Sequence, residues 1–404
     1  MTPVELSRTV LRAVRRAVED GELRVVVPRK VSVTVPGAGG WGDYATNIAL
    51  QLARPAGETP RRVAELLRPH LAGAHGVSGV EITGPGFLNI SLGSTASTAL
   101  VEEILRRGPR YGLAEAEAEA EAEAEAGSSH DGLAGLAAPA VRLVQLHAHH
   151  DPRALVVMDV VARLLRSQGT RVRTSCETRP EPEWVALLGA EVEADAYGPL
   201  ETSAPLDADA DADADADVHV NVRPVPAPDS AELIPLGRDA ARWALLYPAA
   251  HDRPRLTADH LVQRESNPLF RVRYAYARTR AVSRNAADLG FTAEPGDVQN
   301  ARDDVDVQED TTPLTPADTT PLLAHLADHP RLLARAAAHR APDLLARHLV
   351  AVADATLPLL PTTLPLGDEK PSAAHRARLA LAEAAGVVLA GGLSLLGIDA
   401  PEHL

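Results

Sequence analysis

Apolar residues recur every three or four positions over residues 4–18, which predicts an amphipathic helix at the start of the chain. Residues 31–35 alternate between polar and apolar side chains and predict a strand. Further helices are predicted at 43–52 and 60–70, and paired strands are predicted at 80–82 and 87–92 around a Gly-Pro-Gly turn. Residues 1–110 therefore predict one small α/β domain.

The middle of the chain alternates strand and helix patterns. Residues 141–146 and 171–174 predict strands, and the amphipathic segment 156–168 between them predicts a helix that ends near Gly169. A β-α-β order is typical of a Rossmann-type layer. This unit is short, and no phosphate-binding motif is visible in it.

The C-terminal part is mostly helical. Asn267 and Pro268 form a helix start signal, with Asn as the N-cap residue and Pro at the first helical position, and Gly290 ends that helix. Residues 292–320 are acidic and proline-containing and predict a loop, and helices are predicted at about 321–337, 341–357 and 371–396. The fold class predicted for the whole chain is multidomain α/β plus all-α.

The net charge of −15 argues at first against a nucleic-acid partner. Two low-complexity tracts hold six Glu (Glu115 to Glu125) and six Asp (Asp207 to Asp217), and without these 12 acids the net charge is −3. We interpret both tracts as solvated linkers, although an acidic tract could also mimic nucleic acid in a basic groove. The single cysteine excludes a disulfide framework, and no apolar run reaches the roughly 18 residues of a membrane span. These features predict a cytoplasmic protein without a membrane partner.

Several residues could carry chemistry. His147, His149, His150 and Asp151 are possible metal ligands, but no second ligand cluster accompanies them, so we interpret them as a loop and predict no metal site. Cys176 lacks a nearby His or Asn partner in sequence and is expected to be a buried thiol rather than a nucleophile.

Residues 264–284 carry six arginines against one acid, together with aromatic residues. On a helix, Arg273, Arg280 and Arg284 fall near one face, and Phe270 and Tyr274 lie on another, more apolar face. Arginines beside aromatic rings suit unstacked RNA bases and phosphates, whereas the alternative is a solvated helix face with Tyr274 in the core.

Five segments resemble arginyl-tRNA synthetases. Residues 42–49 (GDYATNIA) and 84–90 (GPGFLNI) are similar to signatures of that family's N-terminal domain, and 237–246 (GRDAARWALL) is similar to the helix after its catalytic core. Residues 267–278 (NPLFRVRYAYAR) resemble the opening of its DALR-type anticodon-binding domain, and 376–404 resemble the end of that domain.

The resemblance implies a small α/β N-terminal domain that contacts the tRNA D-loop, a shortened Rossmann-like remnant and a DALR-type helix bundle. The implied segments are an N-terminal-like domain (1–110), an acidic linker (111–140), a degenerate catalytic remnant (141–205), an Asp/Ala linker (206–230), a connecting helical segment (231–260) and the DALR anticodon-binding domain (261–404). It also implies a set of tRNA-binding residues. These are Phe87, Asn89, Phe270, Arg273, Tyr274, Tyr276, Arg278, Arg280 and Leu404.

The chain departs from the family where the family's chemistry lies. Residues 147–153 read HAHHDPR in place of a His-x-Gly-His element, and 228–235 read PDSAELIP, without the lysine of a Lys-Met-Ser-Lys-type loop. We therefore predict a monomeric, non-catalytic binding protein for tRNA, with arginine tRNA as the first candidate, no DNA partner and no cofactor. The alternatives are a divergent arginine–tRNA ligase, which would use ATP, and a scaffold or regulatory protein whose tRNA surfaces have decayed.

Overall fold

The computed structural model describes residues 2–34, 36, 42–114, 143–190, 192, 218–228, 230–298 and 318–404. Both acidic tracts and most of the predicted loop at 292–320 lie outside the described residues. The described chain forms two compact units. The first contains Met1–Gly108, Arg278–Arg331 and Asp354–Val387, and the second contains Pro109–Ala277, Leu332–Ala353 and Val388–Leu404.

The two units contain helices and strands, labelled in chain order. The described helices are α1 (Pro3–Glu19), α2 (Ile48–Ala56), α3 (Pro60–Ala72), α4 (Ser94–Arg107), α5 (Pro152–Ser167), α6 (Pro182–Leu188), α7 (Gly237–Leu246), α8 (Pro268–Asp288), α9 (Thr320–Ala338), α10 (Pro342–Thr356) and α11 (Ala373–Leu395). The described strands are β1 (Val33–Thr34), β2 (Tyr44–Thr46), β3 (Val77–Thr83), β4 (Phe87–Leu92), β5 (Leu143–Ala148), β6 (Arg171–Cys176) and β7 (Val218–Val222).

The first unit contains an antiparallel sheet of order β1-β2-β4-β3. Helix α1 begins with a capping box between Thr2 and Glu5, and its apolar face, with Leu6 and Val10, is fully buried. Helices α2 and α3 complete the core against the sheet. The small α/β domain predicted for the start of the chain is confirmed in its architecture.

The prediction of a helix over 43–52 is wrong in its first half, where β2 occupies residues 44–46. The Asp43 backbone N–H donates to Ile90 O (3.0 Å), and the Asp43 carboxylate accepts the Leu92 N–H (2.7 Å). Gly42 has a φ of +87°, and a Cβ there would lie 2.9 Å from Ile90 O. Residues 42–46 are therefore held against β4, and the helix starts only at Ile48. Pairing to a strand more than forty residues away overrides the local helical pattern.

The second unit contains a parallel sheet of order β6-β5-β7. Helix α5 connects β5 to β6 and packs on all three strands. This confirms the predicted β-α-β layer. The helix is longer than predicted, because α5 begins at Pro152 rather than at Val156.

The C-terminal helices are confirmed close to their predicted bounds. Two segments, Pro342–Thr362 and Ala373–Leu395, are long and apolar enough to cross a bilayer by length and composition. However, 56% and 67% of their most apolar windows are buried within the protein. They therefore have the character of core helices.

Candidate nucleic-acid interface

A surface cavity of about 340 Å³ lies at the N-terminal end of α8 in the second unit. Phe270 and Arg273 of α8 line it, together with Arg238 of α7, Leu261 and Leu404. Phe270, Arg273 and Leu404 are three of the residues that the sequence predicted to contact tRNA. The structure brings them together at one site although Leu404 lies far from the other two in sequence.

Asn267 fixes the entrance to α8. Its side-chain Oδ1 accepts the Leu269 N–H (3.1 Å), as expected of an N-cap residue. Its Nδ2 donates to His260 O and Val262 O (2.9 Å each), so the same buried side chain holds the short 3-10 turn Ala258–Leu261 against the helix start. This turn places Leu261 on the cavity wall.

Arg273 orders the C-terminal tail beside the cavity. Its guanidinium forms an ion pair with Asp239, and its Nε donates to Asp399 O (3.0 Å). Asp239 also accepts the Asp399 N–H (3.4 Å). Arg273 is therefore engaged with protein groups and positions the tail that ends in Leu404.

A second contact holds the C-terminal tail at Gly397, which has a φ of +69°. A Cβ on this residue would lie 2.4 Å from Nη2 of Arg242, so the tail leaves α11 directly over the Arg242 guanidinium. Arg242 is fully buried and donates to Leu396 O (2.9 Å), Leu188 O (2.6 Å) and the Asp159 carboxylate (2.5 Å). Burial lowers the pKa of Arg242, and the attraction of Asp159 opposes that shift.

Large apolar side chains stand exposed around the cavity. Leu404 and Leu261 are 54% and 51% exposed, and Tyr274, next to the cavity, is 37% exposed. The rings of Phe270 and Tyr274 stack with their centroids 5.5 Å apart. The alternative that Tyr274 is a core residue is therefore wrong. Exposed apolar surfaces beside arginines are what an unstacked base needs.

The remaining predicted tRNA contacts lie outside this cavity. Tyr276 and Arg280 are half-buried on α8, and Arg278 is exposed there. In the first unit, Phe87 is 40% exposed at the start of β4, so its ring is accessible to a ligand. Asn89 is 3% exposed, and its Nδ2 donates to Thr83 Oγ1 (3.0 Å), so it supports the turn before Phe87.

The carboxyl edge of the parallel sheet is where an α/β fold places a nucleotide. Asp151 is the N-cap residue of α5 there, and its carboxylate accepts the N–H groups of Arg153 (2.9 Å) and Ala154 (3.1 Å). These N–H groups, at a helix N-terminus, would otherwise be available to a phosphate. A resident carboxylate therefore satisfies them and adds negative charge at the same point.

Arg153 supplies no cation to this edge. It is fully buried, and its guanidinium donates to five backbone carbonyl oxygens at 2.7–3.0 Å. The acceptors are Val225, Leu245, Pro248, Ala249 and Asp252. Burial lowers its pKa, and nearby acids oppose that shift. Sequence reasoning gave Arg153 no role, because all five acceptors are backbone atoms more than seventy residues away.

The histidine segment is only partly a loop. His147 lies in β5, is 3% exposed, and shares a hydrogen bond of 2.9 Å between its Nδ1 and Ser175 Oγ, so its interpretation as a loop residue is wrong. His149 Nδ1 lies 2.5 Å from Glu177 Oε2, and the His150 ring lies 5.0 Å from that of Trp184 between centroids, tilted by 40°. Among the described residues, no three His, Cys, Asp or Glu side chains come together as metal ligands. Cys176 is a buried free thiol whose pKa is raised by burial.

Two family models match the chain. Residues 5–92 match the arginyl tRNA synthetase N terminal domain, and residues 272–404 match the DALR anticodon binding domain. Neither match includes residues 93–271, which contain the parallel sheet. The chain is an arginyl-tRNA synthetase-like protein.

Relatives and solved structures agree with this assignment. The arginine–tRNA ligase of Renibacterium salmoninarum is 39% identical over 201 residues, which are 49% of this chain and 34% of the relative, so that match spans about a third of the relative's length. The arginine–tRNA ligase of Pseudarthrobacter chlorophenolicus is 28% identical in an alignment of 565 positions that includes the whole of both chains. Since this chain has 404 residues, long gaps in it make up the difference.

Among solved structures, the arginyl-tRNA synthetase of Thermus thermophilus has a TM-score of 0.60 at 15% identity and covers all of both chains. That of Plasmodium falciparum has a TM-score of 0.62 at 10% identity, covering 100% of this chain and 99% of the other. At these identities the likeness shows the fold alone. The predicted fold class, with its small α/β N-terminal domain and C-terminal DALR helices, is confirmed.

Proposed function

We propose that this protein binds tRNA without activating an amino acid. The observation that carries the proposal is the Asp151 carboxylate on the N-terminus of α5, at the sheet edge where a nucleotide phosphate would otherwise be held. Binding ATP there would place a phosphate against a carboxylate. Arg153, the nearest arginine in sequence, has its donors directed to backbone carbonyls. The N-terminus of α5 therefore offers a triphosphate neither the N–H groups of Arg153 and Ala154 nor the Arg153 guanidinium.

The cavity at the start of α8 is the proposed base-binding site. Phe270 and Leu404 provide apolar surfaces, Arg238 provides positive charge beside them, and Arg273, paired with Asp239, positions the tail that ends in Leu404. The match to the DALR anticodon binding domain begins within this helix, at residue 272, and includes Arg273 and Leu404, which supports a tRNA anticodon as the ligand. Phe87 on β4 would provide a second stacking surface for a D-loop base. We infer that the protein acts in the cytoplasm, because its two long apolar helices are mostly buried.

The alternative is a divergent arginine–tRNA ligase. Relatives described as arginine–tRNA ligases align over the whole of this chain, which favours it. Arginine-dependent ATP consumption in the presence of tRNA distinguishes the two. If the proposal is right, no arginine-dependent ATP consumption is expected. If the protein is a ligase, ATP consumption is expected and should be lost when Asp151 or His149 is replaced.

Filter binding tests the proposed function. Labelled arginine tRNA should be retained more strongly than an unrelated tRNA of equal length, and the affinity should fall steeply with salt. Leu404→Ser should weaken binding about tenfold, since covering the exposed half of a leucine side chain with a base is worth roughly 1–1.5 kcal/mol. Leu289→Ser is the matched control, because Leu289 is also 54% exposed but lies outside the cavity.

Equal retention of both tRNAs at low salt would defeat the proposal. Equal losses of tRNA affinity for Leu404→Ser and Leu289→Ser would show that the cavity is not the binding site.

A further inference from the structure

The two faces of the parallel sheet differ in chemistry. Side chains alternate between faces along each strand, and the register aligns Leu146 with Thr174 and Val220, and Ala148 with Cys176 and Val222. That face is buried. A parallel sheet is normally apolar on both faces because helices cover both. Here, the opposite face carries polar side chains.

The polar face forms cross-strand rows. Its polar strand residues are Gln145, His147, Arg171, Arg173, Ser175, His219 and Asn221, and the apolar Leu143 lies on the same face opposite Arg171. One further row lies just beyond the strand ends, where Glu177 contacts both His149 (2.5 Å) and Arg223 (2.8 Å). We call this set the polar sheet face.

The polar sheet face has excess positive charge. It carries Arg171, Arg173 and Arg223, and Glu177 is its one acid among the described residues. Burial alone would raise the pKa of Glu177, but its contacts with His149 and Arg223 lower it below the ordinary value, so the acid is charged and already paired. Arg171 and Arg173 are exposed, and neither has an ion-pair partner among the described residues. Two unpaired arginines therefore face outward side by side with no acid between them.

Three buried polar atoms on the same face have no hydrogen-bond partner among the residues that the structure describes. They are His147 Nε2, His219 Nδ1 and Asn221 Oδ1. His147 and Asn221 are direct cross-strand neighbours, and His219 is two positions before Asn221 on β7. An unsatisfied buried polar group costs roughly 1–3 kcal/mol, so such groups usually have a partner. These atoms lie below the surface, so contact with a ligand at this face falls to its exposed arginines.

We propose that the polar sheet face binds the phosphate-ribose backbone of the tRNA. This inference rests on the proposed function and adds a third contact surface to the cavity and to Phe87. Arginine forks match phosphate oxygens, and the partly exposed amide of Gln145 can hydrogen-bond a ribose 2′-hydroxyl. The excess positive charge selects a polyanion over a protein segment of mixed charge.

One competing polyanion lies in the chain itself. Six aspartates at Asp207 to Asp217 come directly before β7. Their occupation of the face is an outcome that the experiment must distinguish from RNA binding.

The test is the salt dependence of tRNA binding by the full chain, measured by fluorescence anisotropy. The double variant Arg171→Glu with Arg173→Glu should bind about tenfold more weakly at 50 mM salt. The slope of log affinity against log salt should fall by about two, one for each lost phosphate contact. The control is Arg253→Glu with Arg335→Glu, which makes the same charge change at two exposed arginines of the same unit that have no ion-pair partner among the described residues, and it should stay within about twofold of wild type.

An unchanged affinity and slope in the double variant would overturn the inference, provided that circular dichroism shows it folded. A second measurement is the rate at which Arg171 and Arg173 react with phenylglyoxal. If replacing those six Asp by Asn raises this rate, the aspartate tract covers the face and the inference is overturned. A wild-type protein that binds no tRNA would instead reject the proposed function itself. Arg171→Gln with Arg173→Gln, which removes charge without reversing it, should give an intermediate loss.

Discussion

The substitution Gly397→Ala tests how the C-terminal tail is built. Gly397 has a φ of +69°, which costs an alanine about 1–2 kcal/mol. Its new Cβ would also lie 2.4 Å from Arg242 Nη2. The guanidinium has no room to yield without losing its bonds to Leu396 O, Leu188 O and Asp159. Disrupting such a buried pair adds about 3 kcal/mol or more, for a total of about 4–6 kcal/mol.

Gly290→Ala is a matched control. Gly290 has a φ of +78° and follows α8 as Gly397 follows α11, each with the next residue's N–H bonded back into the helix. A Cβ at Gly290 meets nothing within 4 Å, so only the backbone cost of about 1–2 kcal/mol applies. Urea unfolding followed by circular dichroism should therefore separate the two variants by about 3 kcal/mol. Equal losses would refute the idea that the tail is fixed by its contact with Arg242.

Two further predictions concern pH and the N-terminal domain. Burial lowers the pKa of His329 to about 4, so its folded state resists protonation, and stability present above the unfolded value of 6.5 is lost as the pH falls towards 4. The unfolding free energy should drop by about 2 kcal/mol from this group between pH 7.5 and pH 5.0, and His329→Leu should make the profile shallower; parallel profiles would contradict this. Phe87→Ala should weaken tRNA binding about tenfold by filter assay while leaving the melting temperature within about 2 °C of wild type, because its ring is exposed; unchanged binding would remove Phe87 from the interface.

Local signals in the sequence predicted the elements that are locally determined. The Asn267-Pro268 start of α8 and the β-α-β order around α5 are examples, because caps and hydrophobic periodicity act over a few residues. The cavity was predicted in part, through Phe270, Arg273 and Leu404. Leu261 was missed, because only the hydrogen bonds from Asn267 bring its turn to the helix.

Long-range contacts made the rest unpredictable. Arg153 and Arg242 read as ordinary helix residues in the sequence, yet both are fully buried and hold backbone carbonyls from distant segments. The contact of Arg273 with RNA stays a prediction, and its ion pair with Asp239, which positions the tail, was not visible in the sequence. His147 became a strand residue because β5 extends to Ala148.

The central claim is that this protein holds tRNA but does not charge it. One experiment follows both properties on the same labelled arginine tRNA, mixed with the protein, ATP and arginine at a protein concentration above the dissociation constant. Retention on a filter reports binding, and resistance of the tRNA 3′ end to periodate reports aminoacylation. We expect tRNA that is retained and fully periodate-sensitive; retained tRNA that becomes resistant, or tRNA that is not retained at all, would contradict the account.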